Sequence, residues 1–182
     1  MRKIIKFLAI LIASVFAAFI LFIGFYEVHD FRPCLSRMSS IYQSMASEDK
    51  EPPQNVRHFV GKVEGKKVDS FVAMRLLGEI KHPQRTASWH YHEVMWEFLL
   101  PLHFTKAERT AFYCHYLPYE HGLGFSEASQ FYFEKQPDEL SLEEVAAIVT
   151  IGRSPGTNSP SRHPDRLQAA KKQLLNAYES LP

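Results

Sequence analysis

The hydrophobic pattern of this chain changes character at about Tyr26. From Phe7 to Tyr26 no charge interrupts an apolar run; beyond it, apolar positions recur at helical spacing between polar stretches. Leu35, Met38, Ile41, Tyr42 and Met45 predict a helix from Pro33 to about Ala46, ending before the polar run Ser47–Pro53. Val56 to Val63 is ambiguous, with Gly61 and Gly65 beside Lys62, Lys66 and Lys67, whereas Phe71, Val72, Leu76 and Leu77 give a helix over Val68–Ile80 that His82-Pro83 breaks. Trp89 to Leu102 is dense in large apolar residues. Thr105 with Glu108 has the form of a capping box, opening a helix through Ala111, Phe112 and His115. A turn follows from Pro118 to Gly124, then a short aromatic helix over Ser126–Phe133. Ser141 with Glu144 opens another capped helix, whose stripe of Leu142, Val145, Ala146, Ile148 and Val149 runs to Gly152, which is expected to take the left-handed conformation that ends it. A loop to Ser161 and a last helix from Pro164 to about Ser180 complete the chain. No strand pattern exceeds a few residues and no internal repeat is present. The expectation is mainly α, one helical domain.

The first run changes that picture, because a helix of about 20 apolar residues is long enough to cross a bilayer with its backbone amides bonded internally. A signal peptide has a shorter apolar region and a small-residue cleavage site, and Phe-Ile-Gly-Phe-Tyr-Glu-Val-His-Asp-Phe offers none. The segments expected are a cytoplasmic tail (1–6), a transmembrane anchor (7–26) and an outer domain (27–182). Arg2, Lys3 and Lys6 precede the run while Glu27 and Asp30 follow it, which places the N-terminus inside. Without those three cations the chain holds 18 Lys and Arg against 20 Asp and Glu. That balance gives no support for nucleic-acid binding. Cys34 and Cys114 leave two readings open, a disulfide in an oxidising compartment or two buried thiols.

Four stretches then occur in a telling order: Phe125-Ser-Glu-Ala-Ser-Gln-Phe-Tyr-Phe-Glu-Lys135, Leu140-Ser-Leu-Glu-Glu-Val-Ala-Ala147, Arg153-Ser-Pro155 and His163-Pro-Asp-Arg166. They resemble the C-terminal half of the bacterial peptidoglycan glycosyltransferase domain, glycosyltransferase family 51. Upstream, Glu93 and the capped Thr105-Lys-Ala-Glu108 stretch are spaced as in that family's Arg-Lys-x-x-Glu motif and its following helix. The resemblance covers roughly Glu93 to Leu175, with a fainter extension back to Ser40. It implies a lysozyme-like helical domain behind one anchor, standing outside the bacterial inner membrane. It also implies action on lipid-linked disaccharide precursor or a glycan strand, in company with the lipid bilayer and other cell-wall synthesis proteins.

In such enzymes one glutamate takes the proton of the acceptor hydroxyl while an undecaprenyl diphosphate leaves. The resemblance puts Glu48 in that role and Glu93 as its partner. It assigns Ser70, Arg75, His90, Tyr113, Arg153 and Lys171 to substrate binding. It implies no cofactor and leaves room for a divalent cation at the diphosphate. The chain departs from the family around these positions. Pro52 and Asn55 stand where the first motif has Phe and His. Ser70-Phe-Val-Ala-Met-Arg-Leu76 keeps only Ser70, Arg75 and Leu76 of the second. Trp89-His-Tyr-His-Glu93 loses the Arg-Lys pair, Tyr113-Cys-His115 replaces Tyr-Leu-Asn, and the last basic motif is reduced to Lys171 and Lys172. Each lost contact to a departing diphosphate can cost roughly 10² to 10³ in turnover. Two functions are therefore expected to compete: a glycan-polymerising enzyme, and a catalytically degenerate relative that binds precursor, glycan or a partner. Metal-dependent hydrolysis is prompted by His90-x-His92-Glu93 but disfavoured. On a helix that spacing splits the two histidines between faces, and the His-Glu-x-x-His order is missing.

Overall fold

The structure, a computed structural model, describes residues 2–81 and 87–181. It is mainly α. Helix α1 (Arg2–Tyr26) passes through a π turn (Glu27–Phe31) into α2 (Arg32–Ser44), so that Ile4 to Ser44 is one continuous helical rod. Its apolar window is entirely unburied by the protein, as a helix facing lipid on all sides requires. The π turn marks where that changes: Phe31 is buried edge-on against Trp96, and Met38 and Ile41 continue the buried face into α2.

Beyond the rod come α3 (Ser47–Lys50), α4 (Gln54–Val63), α5 (Lys67–Lys81), α6 (Ala87–His103) and α7 (Lys106–Tyr116). A two-stranded antiparallel hairpin, β1 (Pro118–Tyr119) and β2 (Gly122–Leu123), precedes α8 (Phe125–Phe133). A 3₁₀ turn (Pro137–Glu139), α9 (Leu142–Arg153) and α10 (Pro164–Ser180) finish the chain. The ambiguous Val56–Val63 stretch is helical because Val56, Phe59 and Val60 all reach the core. The expected break at His82-Pro83 lies outside the described residues. The core is one cluster that α9 penetrates most deeply: from Val145 to Gly152 every residue is buried.

Both capping boxes form. Thr105 Oγ1 accepts from the Glu108 amide at 3.2 Å while Glu108 accepts from the Thr105 amide at 2.7 Å; Ser141 and Glu144 repeat the exchange at 3.3 and 2.7 Å. One expectation about α9 is corrected. Gly152 lies within the helix at ordinary negative φ, and the chain leaves through an extended Ser154. Glycine is needed there because a Cβ would fall on the Leu117 side chain. A left-handed residue is instead required at Gly124 (φ 117°), where the hairpin turns into α8.

The rod is fastened to the domain at the base of the apolar run. Tyr26 hydroxyl meets His92 Nδ1 at 2.5 Å, Glu27 meets His103 at 3.2 Å, and Asp30 accepts from Lys81 at 3.2 Å. Cys34 and Cys114 are both free and buried, so of the two readings the thiols hold.

Candidate active site

Glu48 sits on the one-turn helix α3 and is exposed. Its neighbour Asp49 fixes that turn: buried, it accepts the amide of Ser126 at 2.9 Å, capping α8 from outside. Burial raises the Asp49 pKa, and the hydrogen bonds from Ser126 oppose the rise. With Asp49 held, Glu48 lines a hollow of about 330 Å³ with Glu51, Pro53, Gln136, Pro137 and Asp138. Asn55, at the family's histidine position, is tied to the segment that begins with Pro137. Its amide donates to the carbonyls of Leu140 (3.1 Å) and Pro137 (3.4 Å).

Glu93 lies on α6, whose circumference divides into three sectors. Trp89, Trp96, Leu99 and Leu100 face the core. His90, Glu93 and Glu97 form a polar edge, with His90 Nδ1 3.6 Å from the Glu93 carboxylate. Tyr91, Val94, Phe98 and Leu102, at spacings of three and four, form a third sector that is apolar yet exposed, at 39, 64, 54 and 65%. This sector meets α1: the Tyr91 ring lies 6.0 Å from Phe22 and 5.3 Å from Tyr26. α3 packs on α7 and α8, whereas α6 packs chiefly on α5 and more lightly on α7.

Arg75, Tyr113 and Arg153 are brought into one row. Arg153 Nε donates to Glu64 at 2.7 Å, and the buried Tyr113 hydroxyl donates to the same carboxylate at 3.2 Å. The Tyr113 ring is 5.0 Å from Phe71, over whose face the Arg75 guanidinium lies at 5.1 Å. Arg75 Nε is buried with no partner among the described residues. Ser70 adjoins Phe71 on the same helix. Burial, reinforced by the Glu64 charge, pushes the Tyr113 phenol well above its ordinary value, so it remains a donor. Glu64 is the residue that sequence reasoning missed. Its only local signal is an acidic side chain at the end of α4 beside Gly65, and its partners are 49 and 89 positions away.

The remaining candidates stand apart. Lys171 on α10 reaches Glu143 at 3.5 Å across a groove of about 790 Å³ between α8, α9 and α10. His90 is almost wholly exposed, while burial and the Lys81 cation hold His92 below the ordinary histidine range and therefore neutral at pH 7. Among the described residues no three His, Cys, Asp or Glu side chains converge to hold a metal ion.

Comparison with known proteins agrees with this helical frame. The Transglycosylase family matches residues 54–179, and the chain belongs to that family. Penicillin-binding protein 4 of Bacillus subtilis (strain 168) is 29% identical over 68% of this chain and 21% of its own length. Penicillin-binding protein 1F of the same organism is 31% identical over 46% of this chain and 12% of its own. Penicillin-binding protein 1C of Escherichia coli (strain K12) is 32% identical over 44% of this chain and 11% of its own. The matched stretch therefore spans at most about a fifth of these relatives. The fold is the lysozyme-like helical one, and among the described residues one N-terminal helix is long and apolar enough to cross a membrane.

Proposed function

We propose that this protein handles the lipid-linked disaccharide precursor of peptidoglycan at the outer face of the cytoplasmic membrane, its N-terminus inside and its domain outside. The observation that carries the proposal is the exposed apolar sector of α6 beside the anchor. A helix with an unburied stripe of Tyr, Val, Phe and Leu next to a spanning segment is stable when the stripe enters the lipid interface. Glu93 borders that stripe and would stand at the depth where a lipid-linked sugar presents its diphosphate and first ring. In the enzymatic reading Glu48 takes the proton of the acceptor hydroxyl. Glu93 and the basic side chains shape the field around the leaving diphosphate, and no cofactor is consumed.

A second reading is favoured by a separate observation. Arg153 and Tyr113, the polar groups best placed by family resemblance to meet substrate, are engaged internally by Glu64. With Arg153 and Tyr113 held by Glu64, the site suits binding of precursor or of a cell-wall synthesis partner more than turnover.

Full-length protein in liposomes, given labelled lipid-linked disaccharide, separates the two. Strand formation that disappears in Glu48→Gln and falls in Glu93→Gln establishes the enzyme. Precursor binding without any strand formation establishes the binding module. Strand formation indifferent to both substitutions removes the proposed site.

A further inference from the structure

The hairpin and the loop after α9 enclose a groove of about 490 Å³ that neither Glu48 nor Glu93 lines. One of its walls is a carboxylate fixed in place. Glu120 Oε1 accepts the hydroxyls of Ser159 and of Ser161, the latter at 2.7 Å. Ser159 is itself buried and accepts the Arg162 amide at 3.1 Å, while the Glu120 amide donates to the Tyr132 hydroxyl at 3.3 Å. The two hydroxyl donors hold the Glu120 carboxyl below the usual carboxylate range, so it is ionised at neutral pH. Among the described residues Oε2 has no hydrogen-bond partner, and neither Glu120 nor the groove's Arg162 forms an ion pair.

Another wall is aromatic. Phe131 is 49% exposed, and its ring centroid lies 4.6 Å from His121 and 5.8 Å from Tyr119. Tyr132 braces the Phe131 ring edge-on, at 4.9 Å and 80°. The Tyr119 hydroxyl donates to Glu127 at 3.2 Å, so what Tyr119 brings to the groove is its ring. Leu123, on the second strand of the same hairpin, is 44% exposed.

We propose that this groove receives a lysine side chain of a protein partner. Ring faces and a carboxylate both attract positive charge, and covering Glu120 is tolerated only by a ligand that donates to its free oxygen. A primary ammonium meets both conditions through its charge and its three N–H donors, and the four-carbon stem behind it lies along Phe131 and Tyr119. An apolar side chain would leave the carboxylate oxygen desolvated without a donor, and an anion would meet it charge against charge. The exposed Leu123 and Phe131 give contact to the residues flanking a lysine in a protein segment, which a free amine would not use. Arg162 is exposed at the groove, and its charge reaches Glu120. It therefore competes with the incoming ammonium, which gives the proposal a definite sign: removing Arg162 improves binding. The inference uses neither Glu48 nor Glu93 and holds whether or not the chain polymerises anything.

The test uses full-length protein in detergent micelles at about pH 8, above the ordinary histidine range. Ligand-observed NMR titrations compare acetyl-Leu-Lys-Leu-amide, the same peptide with norleucine in place of lysine, and glycerophosphoethanolamine. Wild type is expected to prefer the lysine peptide over its neutral isostere by about fivefold or more, the size of one cation–π contact. Phe131→Leu removes the ring and Glu120→Gln the charge, and each should lower that preference about threefold or more. Arg162→Ala should bind the lysine peptide about twofold or more tightly than wild type, and Gln168→Ala, on α10 outside the groove, should match wild type. Phe131→Leu and Arg162→Ala alter exposed side chains, so the comparison stands even where Glu120→Gln fails to fold. Absence of binding in wild type, equal binding of the two peptides, or an unchanged preference in Phe131→Leu shown by thermal melting to be folded overturns the proposal. So does weaker binding in Arg162→Ala, which would make the guanidinium a binding group, and so does tighter binding of glycerophosphoethanolamine than of the lysine peptide, which would give the groove to a lipid headgroup.

Discussion

Arg153 donates its Nε to Glu64 at 2.7 Å, joining the end of α9 to the end of α4 across 89 residues of sequence. The Glu64 side chain is only 5% exposed while that of Arg153 is 38% exposed. Removing the arginine therefore strands a buried carboxylate, whereas removing the carboxylate frees a cation that water can still reach. Loss of one partner of a fully buried pair costs about 3–5 kcal/mol. Solvent screening on the arginine side reduces the expectation for Arg153→Met to about 1–3 kcal/mol, measured by urea unfolding of detergent-solubilised protein. Glu64→Gln should cost less, and the double variant should fall short of the sum by about 1 kcal/mol. Strict additivity would show that the pair contributes nothing to the fold.

Gly152 and Leu117 make a different kind of contact, set by shape alone. Any side chain at 152 collides with Leu117, which is itself buried. Gly152→Ala is expected to lower stability by about 1–3 kcal/mol through overpacking, despite alanine's better helix propensity. Shortening the neighbour in Gly152→Ala/Leu117→Ala should recover part of that loss relative to Leu117→Ala alone. A Gly152→Ala variant as stable as wild type would mean that α9 and the segment following α7 separate without cost.

The apolar sector of α6 predicts a depth in the membrane. A nitroxide attached at position 98 of full-length protein in liposomes should be more accessible to oxygen than to a water-soluble nickel chelate. One at Gln168, on the exposed face of α10, should show the reverse. Equal profiles at the two positions would place α6 in water and remove the observation on which the membrane-surface reading stands.

Local devices were legible in the sequence and distant ones were not. Thr105 with Glu108 and Ser141 with Glu144 are three residues apart and make the bonds their spacing predicts, because both partners lie within one helical turn. The long N-terminal helix was legible because an uncharged run of about 20 apolar residues has the length and composition of a helix able to cross a bilayer. The two-residue strands were too short to leave an alternating pattern, and the turn reading over Pro118–Gly124 located them without resolving the pairing. Gly152 was read as a terminator because a glycine after a helical stripe usually is one; the Leu117 contact that requires it comes from 35 positions away. On α6 the buried sector and the exposed sector of Tyr91, Val94, Phe98 and Leu102 are equally apolar, so sequence alone merges them. The same holds for the candidate site: motif spacing suggested Glu48 and Glu93, but it gave no signal for Glu64, whose partners arrive only when α4, α7 and α9 pack.

The capping box of α9 also carries a pH dependence with a definite sign. Glu144 accepts from Lys135 at 2.6 Å and from the Ser141 amide at 2.7 Å. The Lys135 bond and then the amide hold its carboxyl down at about 2 against an ordinary 4.5. A carboxylate depressed in the folded state favours folding at pH values above its unfolded pKa, and that contribution disappears as pH falls toward its folded one. The stability difference between wild type and Glu144→Gln should therefore be constant above about pH 5, shrink between 4.5 and 2, and weaken in high salt because the pair is at the surface. Ser141→Ala removes the reciprocal acceptor and should cost about 1 kcal/mol at any of these pH values, since its hydroxyl does not titrate. Thermal melts of the three proteins from pH 2 to 7 measure both effects. A wild-type advantage over Glu144→Gln that persisted unchanged at pH 2 would show that the carboxylate's charge plays no part in holding the helix start.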